Sequence, residues 1–188
     1  MKSSHRNLKP IVLAGLFSVL FSIPLYAQTA LRLEELLEKP DLAWSDAVIF
    51  VLEASETEIN DDSTELSDPI DAFNFALEQK WLPKYIEPDD PAKLDGIALL
   101  LMRSFGMKGG LFYSISKSPH HAYRELTYKG IIRGEADPSM SVSGQQLLLM
   151  VSRLLSIKEK EAEEEAVREK AAEGKTANEN EAGEEIDQ

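Results

Sequence analysis

Apolar residues recur at helical spacing in two stretches of the middle of the chain, residues 97–105 and 147–155. In each stretch they stand three and four positions apart, which places them on one face of a helix. A shorter amphipathic segment, an apolar pair and a loop containing proline precede each stretch. The pattern therefore predicts an all-α fold made of helix–loop–helix units.

The two units align without a gap at an offset of 50 residues. The segment beginning at Ala72 lies over the segment beginning at Ala122, and Pro88 falls on Pro138. Because both units repeat the same order of apolar and polar segments, the alignment predicts an internal repeat.

Each unit also carries signals for helix ends. Asp90 and Pro91 in the first unit, and Ser141 or Ser143 in the second, are typical of a helix start. Gly130 suits the end of a helix. These signals predict that a second helix follows each loop.

A third, partial copy precedes the two units. The stretch from Leu42 to Ser55 matches the second helix of the next unit at an offset of 49, which sets Ala43 against Ala92. One pair of short helices cannot bury enough surface to be stable, whereas about three stacked copies can. The predicted domain covers residues 30–157, with units at about 31–55, 69–106 and 119–157.

Polar links separate the units at residues 56–68 and 108–119. The second link contains Gly109 and Gly110, followed by the apolar sequence LFYSIS at residues 111–116. This hexapeptide is predicted to be a short strand or an apolar loop that packs on the repeats.

Residues 1–27 have the layout of a secretory signal peptide. A basic start is followed by the apolar run IVLAGLFSVLFSI, by Pro24, and by Ala27 at the cleavage position. An uncleaved membrane anchor is the alternative, although the run is shorter than the ~20 apolar residues of a spanning helix. The chain has no cysteine, so lipid attachment through cysteine and disulfide bonds are both excluded.

Residues 158–188 form an acidic tail with hardly an apolar side chain. Up to about Ala172 the residues are good helix formers, but they lack an apolar stripe, so at most a solvated helix is expected. Beyond Gly174 the content of Gly, Asn and Glu predicts disorder. The simplest role of such a tail is to keep the protein soluble.

The chain is strongly acidic, with 20 basic and 33 acidic residues and a net charge of −13. Loss of residues 1–27 would remove three basic residues and no acidic one, which leaves a net charge of −16. Such a surface disfavours nucleic acid, whose phosphates require Lys and Arg patches. It also disfavours adsorption to anionic lipid, and no stable membrane span is expected after signal cleavage.

The helical units resemble S-layer homology (SLH) modules. In that family a helix ending in a Gly-Ile-Ile-like turn leads through a loop with Pro and Gly to a second helix. Residues 122–155 match best, with Gly130, Ile131 and Ile132, and residues 72–105 match less closely. The resemblance implies a compact, three-lobed helical domain, which in many members anchors proteins to cell-wall polysaccharide.

The family's polysaccharide-binding motif is absent. It places a hydroxyl residue followed by Arg-Ala-Glu at the start of the second helix, where this chain has residues 43–47, 92–96 and 142–146. None of these segments contains Arg, although Lys93 is cationic nearby. The resemblance therefore supports the fold more than wall binding.

No catalytic, cofactor-binding or metal-binding constellation stands out in the sequence. His120 and His121 are adjacent, and no Cys or further His accompanies them, so we expect surface residues of a loop or helix start. There is no Gly-x-Ser-x-Gly elbow and no phosphate-binding loop. We therefore expect a protein that is not an enzyme and needs no cofactor.

Six residues are candidate contacts for a ligand or a partner. They are Tyr85, Lys93, Arg103, Phe112, Tyr113 and Arg153. The three aromatic residues lie in predicted loops, where they could bind a sugar or a peptide, with packing in the core as the alternative. The two arginines occupy equivalent positions, and their alternative role is to pair with an acidic residue or to cap a helix end.

These observations favour a non-catalytic binding or scaffold protein of the cell envelope, with another envelope protein as its partner. Direct binding of peptidoglycan or another cell-wall polysaccharide is the alternative, and an unrecognised hydrolase is a remote one. Export points to the periplasm, with the cell surface or the exterior as alternatives. The oligomeric state stays open.

Overall fold

The structure is a computed structural model that describes residues 33–55, 68–134 and 137–184, with side chains placed up to Arg168. Helices account for most of these residues, and the described part contains no strand, only two isolated bridges. The helices are α1 (33–38), α2 (Trp44–Ala54), α3 (Pro69–Glu78), α4 (Leu94–Ser104), α5 (Leu111–Ser116), α6 (Pro119–Tyr128) and α7 (Gly144–Glu184). The all-α prediction is confirmed. None of the described helices combines the length and apolar character needed to cross a membrane.

A closed cycle of backbone hydrogen bonds joins the three loops that precede α2, α4 and α7. Ala92 N donates to Leu42 O at 2.8 Å, Leu42 N donates to Val142 O at 2.9 Å, and Val142 N donates to Ala92 O at 3.0 Å. All three residues are fully buried. The cycle therefore satisfies polar backbone groups that water cannot reach, and it ties the three loops together.

Equivalent positions are 50 residues apart in all three loops. The helices that follow begin at residues 44, 94 and 144, and the first N–H group of each donates to a neighbouring loop. These hydrogen bonds are Trp44 N to Asp90 O, Leu94 N to Met140 O and Gly144 N to Lys39 O.

The offset of 49 that we predicted for the partial copy is therefore wrong by one residue. Leu42, not Ala43, is the counterpart of Ala92 in the hydrogen-bond cycle. The error arose because an apolar helix of 11 residues matches another almost equally well when it slides by one position. The segment that corresponds to the SLH motif becomes 42–46, which again contains no Arg.

Helices α3 and α6 end in the same way, 50 residues apart. Lys80 and Gly130 follow them in the left-handed conformation, with φ of 59° and 71°. The next N–H group reaches back five residues in each case, from Trp81 to Ala76 and from Ile131 to Leu126, both at 2.9 Å. This is the long hydrogen bond of a Schellman motif, and it turns the chain so that Leu82 and Ile132 become buried.

The predicted helix starts have different outcomes. Ser143 precedes α7 and forms a capping box, because Gln146 N donates to Ser143 Oγ at 3.2 Å and Ser143 N donates to Gln146 Oε1 at 3.0 Å. The prediction at Asp90 was wrong, since α4 begins at Leu94. The Asp90 carboxylate instead accepts from Glu87 N at 2.8 Å and closes a turn within the loop.

The core is centred on α2, α4 and the first part of α7, and α3 and α6 contribute further buried side chains. Equivalent positions one helical turn apart are buried in α2, α4 and α7. They are Ala47, Ile97 and Leu147, followed by Val51, Leu101 and Val151. Trp44, at 1% exposed, is among the largest buried side chains, and its ring packs against Gly96 of α4.

The sequence LFYSIS forms a helix, so its prediction as a strand or loop was wrong. Ser114 N donates to Gly110 O at 3.0 Å, and Lys117 ends the helix in the left-handed conformation with φ of 45°. Six residues are too few for a helical period to be recognised, whereas apolar and polar residues alternate through part of the segment and suggest a strand.

Helix α7 continues from the core into the acidic tail. Its backbone is helical to Glu184, past Gly174, where disorder was predicted. Each side chain from Lys158 to Arg168 is exposed, and Lys158 Nζ donates to Phe105 O at 2.9 Å. The prediction of a partly helical tail is confirmed.

The predicted signal peptide and residues 56–67 of the first link lie outside the described residues. Cleavage, export and the unit boundaries therefore stay predictions, as does packing in the manner of SLH modules. Helices α1 to α4, α6 and the core part of α7 fall within the predicted units, while α5 falls between two of them.

Candidate functional site

Helix α5 presents an apolar face to solvent. Leu111, Phe112 and Ile115 are 72%, 71% and 76% exposed. Leu111 and Phe112 stand four and three residues before Ile115, so the three side chains share one face of the helix. Side chains as exposed as these project from the protein rather than line a groove.

Tyr113 anchors α5 from its other side. It is 5% exposed, and its ring packs so closely on Gly109 that a Cβ atom there would overlap it. Gly110 N donates to Glu125 Oε1 at 2.9 Å, which ties the start of α5 to α6. The apolar face is therefore held in position by contacts with the rest of the domain.

Phe112 also contacts the start of α6. Its ring stacks on the His121 ring, with centroids 6.1 Å apart and an angle of 15° between the planes. His121 Nδ1 lies 2.6 Å from Ser116 Oγ and 3.0 Å from Ser118 Oγ. These contacts fix the orientation of the His121 ring on which Phe112 rests.

The Ser116–His121 pair lacks, within the described residues, the third group that orients the base of a catalytic triad. A serine nucleophile needs a base that a third group orients, whereas both hydroxyls contact the same His121 nitrogen. Among the described residues, no carboxylate is hydrogen-bonded to the other ring nitrogen. The described residues also contain no group of three His, Cys, Asp or Glu side chains that could hold a metal ion.

The surroundings of α5 are locally basic in an acidic protein. No Asp or Glu occurs between Asp95 and Glu125, whereas Lys108, Lys117 and Arg124 are exposed within that stretch. Since the whole chain carries a net charge of −13, the charge of this stretch is opposite in sign to that of the chain as a whole.

The exposed face of α6 extends the basic region. His120, Arg124 and Tyr128 recur every four residues, so they share one face, and all three are exposed. We use the name α5 surface for the apolar face of α5 together with the four exposed side chains that flank it. Its members are Leu111, Phe112, Ile115, Lys108, Lys117, His120 and Arg124.

Of the predicted contacts, Tyr113 is buried and Arg103 is half-buried. Arg103 Nε, Ser104 Oγ and Tyr113 OH are buried atoms without a hydrogen-bond partner in the described part of the chain. Burial raises the pKa of the Tyr113 phenol, and the positive charge of Arg103 opposes this rise. The prediction of Tyr113 as a loop residue open to a ligand was wrong, because it is the buried residue of a helix.

The other predicted contacts have different surroundings. Arg153 is half-buried and its Nη1 donates to Ile131 O at 2.9 Å, three residues beyond the end of α6. Lys93 is exposed and its Nζ donates to Ser141 Oγ at 3.2 Å. Tyr85 is 100% exposed, in a loop, at a left-handed φ of 63°.

The structure thus brings Arg103, Phe112 and Tyr113 to one region, where Phe112 is exposed, Arg103 is half-buried and Tyr113 is buried. Sequence reasoning missed Leu111 and Ile115. The available signal was the mostly apolar hexapeptide LFYSIS, which lies between two repeat units and is enclosed by glycines and lysines.

Comparison of the chain with protein-family models, with curated proteins and with solved structures gives no match. The resemblance to SLH modules therefore stays a prediction from the sequence. The function has to be inferred from the chemistry of the described surface.

Proposed function

We propose that the protein is a non-catalytic binding protein of the cell envelope and that it docks on a partner through the α5 surface. The observation that supports this most directly is the apolar face of Leu111, Phe112 and Ile115, each more than 70% exposed. Clustered large apolar side chains on a protein surface are typical of interaction sites.

Docking would use these three side chains as anchors. Complete burial of a Leu, Ile or Phe side chain is worth about 1.5–3 kcal/mol relative to exposure. Because Tyr113 and the hydrogen bond from Gly110 to Glu125 already hold α5 in place, little conformational freedom remains to be lost on binding.

The placement in the envelope rests on the predicted signal peptide of residues 1–27. A scaffold that is exported without a catalytic site acts by what it holds together, and the α5 surface supplies one attachment point. The exposed acidic helix that continues α7 supplies a second, of opposite charge, for another envelope component.

Photocrosslinking in the producing cells tests the docking role. A photoreactive amino acid in place of Phe112 is expected to capture the partner, whether protein or lipid. The same amino acid in place of Leu149, which is 52% exposed on α7, serves as the matched control and is expected not to capture it. No capture at Phe112, or equal capture at both positions, would contradict the proposal.

Binding of a cell-wall polysaccharide is the second candidate, and Tyr85 favours it. A fully exposed tyrosine ring followed in the same loop by the exposed Lys93 offers a stacking face and a cation. Retention of the protein on purified sacculi tests this candidate. Tyr85→Ala and Lys93→Ala are expected to abolish the retention, and failure of the unaltered protein to bind would reject it.

A further inference from the structure

We infer that the α5 surface docks on the surface of an anionic phospholipid bilayer, with its apolar side chains in the headgroup region and its cations at the phosphates. The inference deepens the proposed docking function and rests on it. It assigns the partner as lipid, although the protein as a whole is acidic.

The shape of the apolar face suits a bilayer. Leu111, Phe112 and Ile115 project from a helix of six residues. A stable protein–protein interface buries about 800 Å² on each partner and involves about 20–30 residues a side, far more than this helix offers. A bilayer needs no complementary pocket, so a small projecting apolar group can enter its interface.

The charges around the face also suit a bilayer. Lys108 and Lys117 flank α5 in the sequence, Arg124 lies on the exposed face of α6, and all three side chains are exposed. Each basic residue near an anionic membrane contributes about 1 kcal/mol. Long basic side chains can keep their charged groups at the phosphates while their methylene groups follow the apolar side chains inward.

The net negative charge does not prevent this contact, because salt limits its range. At physiological ionic strength the Debye length is about 8 Å, so carboxylates at distant positions are screened. The carboxylates that the structure places near the α5 surface lie at the Lys108 end of α5. The Glu125 carboxylate already accepts a hydrogen bond from Gly110 N at 2.9 Å. Lys108 shares a groove with Glu161, Glu164 and Glu165 of α7.

Those three glutamates also make an orientation testable. They lie on the Lys108 side of the α5 surface, whereas Lys117 lies at the other end of α5. The end with Lys117 should therefore approach the lipid more closely than the end with Lys108. Charge reversal at Lys117 is expected to weaken lipid binding more than charge reversal at Lys108.

Vesicle sedimentation tests the inference with the chain from Gln28 onward, which retains every described core residue, Leu36 to Leu154. We expect binding to vesicles that contain phosphatidylglycerol, weaker binding to vesicles of phosphatidylcholine alone, and loss of binding as salt is raised. Replacement of Leu111, Phe112 and Ile115 together by Ser is expected to weaken binding at least about tenfold.

The matched control replaces three exposed leucines of other helices by Ser, and it should bind like the unaltered protein. They are Leu77, Leu149 and Leu155. Circular dichroism and the urea midpoint of each variant separate lost binding from lost folding. If the unaltered protein does not sediment with anionic vesicles, or if the α5 variant sediments as well as the control, the lipid assignment is overturned.

Failure of the lipid assignment can be distinguished from failure of the docking function. Capture of one protein at Phe112 in cells, together with no vesicle binding, would leave docking intact and replace lipid by that protein. Capture of lipid at Phe112 together with vesicle binding would support both. No capture at Phe112 and no vesicle binding would reject both.

Discussion

The contact between Trp44 and Gly96 sets how closely α2 and α4 approach. A Cβ atom at Gly96 would stand 2.6 Å from the indole ring and 2.8 Å from Pro83 Cγ. Alanine would favour the helix by about 1 kcal/mol, but forcing an extra methyl group into a packed core costs about 1–3 kcal/mol. Because Trp44 lies in the core, the cost of the extra methyl group outweighs the gain in helix propensity.

We therefore expect Gly96→Ala to lower the free energy of unfolding by about 1–2 kcal/mol. Urea unfolding followed by circular dichroism measures it. Trp44→Phe in the same chain removes the ring atoms that clash, so the double variant should lose less than the sum of the single ones. A Gly96→Ala protein more stable than the unaltered one would disprove the contact.

Lys80 and Gly130 occupy the same left-handed position after α3 and α6. Because only glycine adopts this conformation without steric cost, Lys80→Gly is expected to raise the free energy of unfolding by about 1 kcal/mol. Gly130→Ala is expected to lower it by about the same amount. Thermal unfolding of the two variants measures both changes in stability. If both substitutions change the stability in the same direction, the two positions are not equivalent.

Stability should fall in alkali through two groups with raised pKa values. Burial raises the pKa of Tyr113 above its ordinary 10.0, so its contribution is complete below that pH and is lost as the pH rises through the folded-state pKa. Hydrogen bonding to Asp46 is the main cause that raises the pKa of Lys39 above its ordinary 10.5. The contribution of Lys39 to folding stability is therefore also lost in alkali.

Tyr113→Phe is the matching variant, because it removes a buried hydroxyl that has no partner in the described residues. At neutral pH we expect a change between zero and about 1 kcal/mol of added stability. Its urea midpoint should fall less steeply above about pH 10 than that of the unaltered protein. Parallel curves would show that the phenol does not contribute.

At the scale of helices, the tail part of α7 contributes little to the stability of the domain. Its side chains are exposed from Lys158 to Arg168. A stop codon after Glu161 keeps the hydrogen bond of Lys158 to Phe105. We expect this truncation to change the free energy of unfolding by less than about 0.5 kcal/mol, as measured in urea. A larger loss would mean that the tail packs on the domain.

The sequence predicted the helices of the core well, because each has more than two turns and apolar residues at helical spacing. It missed α5, whose six residues are too few to define a period. It also misplaced the partial repeat by one residue, since only the hydrogen-bond cycle through Leu42, Ala92 and Val142 distinguishes an offset of 50 from 49. Hydrogen bonds between the backbone groups of different loops produce no pattern of side chains in the sequence.

The candidate site was predictable only in part, for a related reason. Phe112 and Tyr113 are adjacent aromatic residues with the same local surroundings in the sequence, yet one is 71% and the other 5% exposed. Which of them faces the core depends on the helical conformation of α5. The choice of Phe112 as an accessible residue stands, whereas Leu111 and Ile115 follow only from the structure.

At the scale of the whole molecule, basic and acidic side chains are concentrated in two different parts of the chain. The stretch from Gly96 to Arg124 contains no carboxylate, while the tail that continues α7 is rich in glutamate. A protein of this kind can attach through the α5 surface and present its acidic helix elsewhere. A uniformly acidic surface would be enough to keep the protein soluble, so solubility does not explain the basic stretch.

The most direct test of this account is the binding of the purified protein, from Gln28 onward, to total envelope membranes of the producing cells. We predict saturable binding that the triple Ser variant of Leu111, Phe112 and Ile115 loses. The triple Ser variant of Leu77, Leu149 and Leu155 should retain it. Equal binding of the two variants would contradict the central claim that the α5 surface is the docking site.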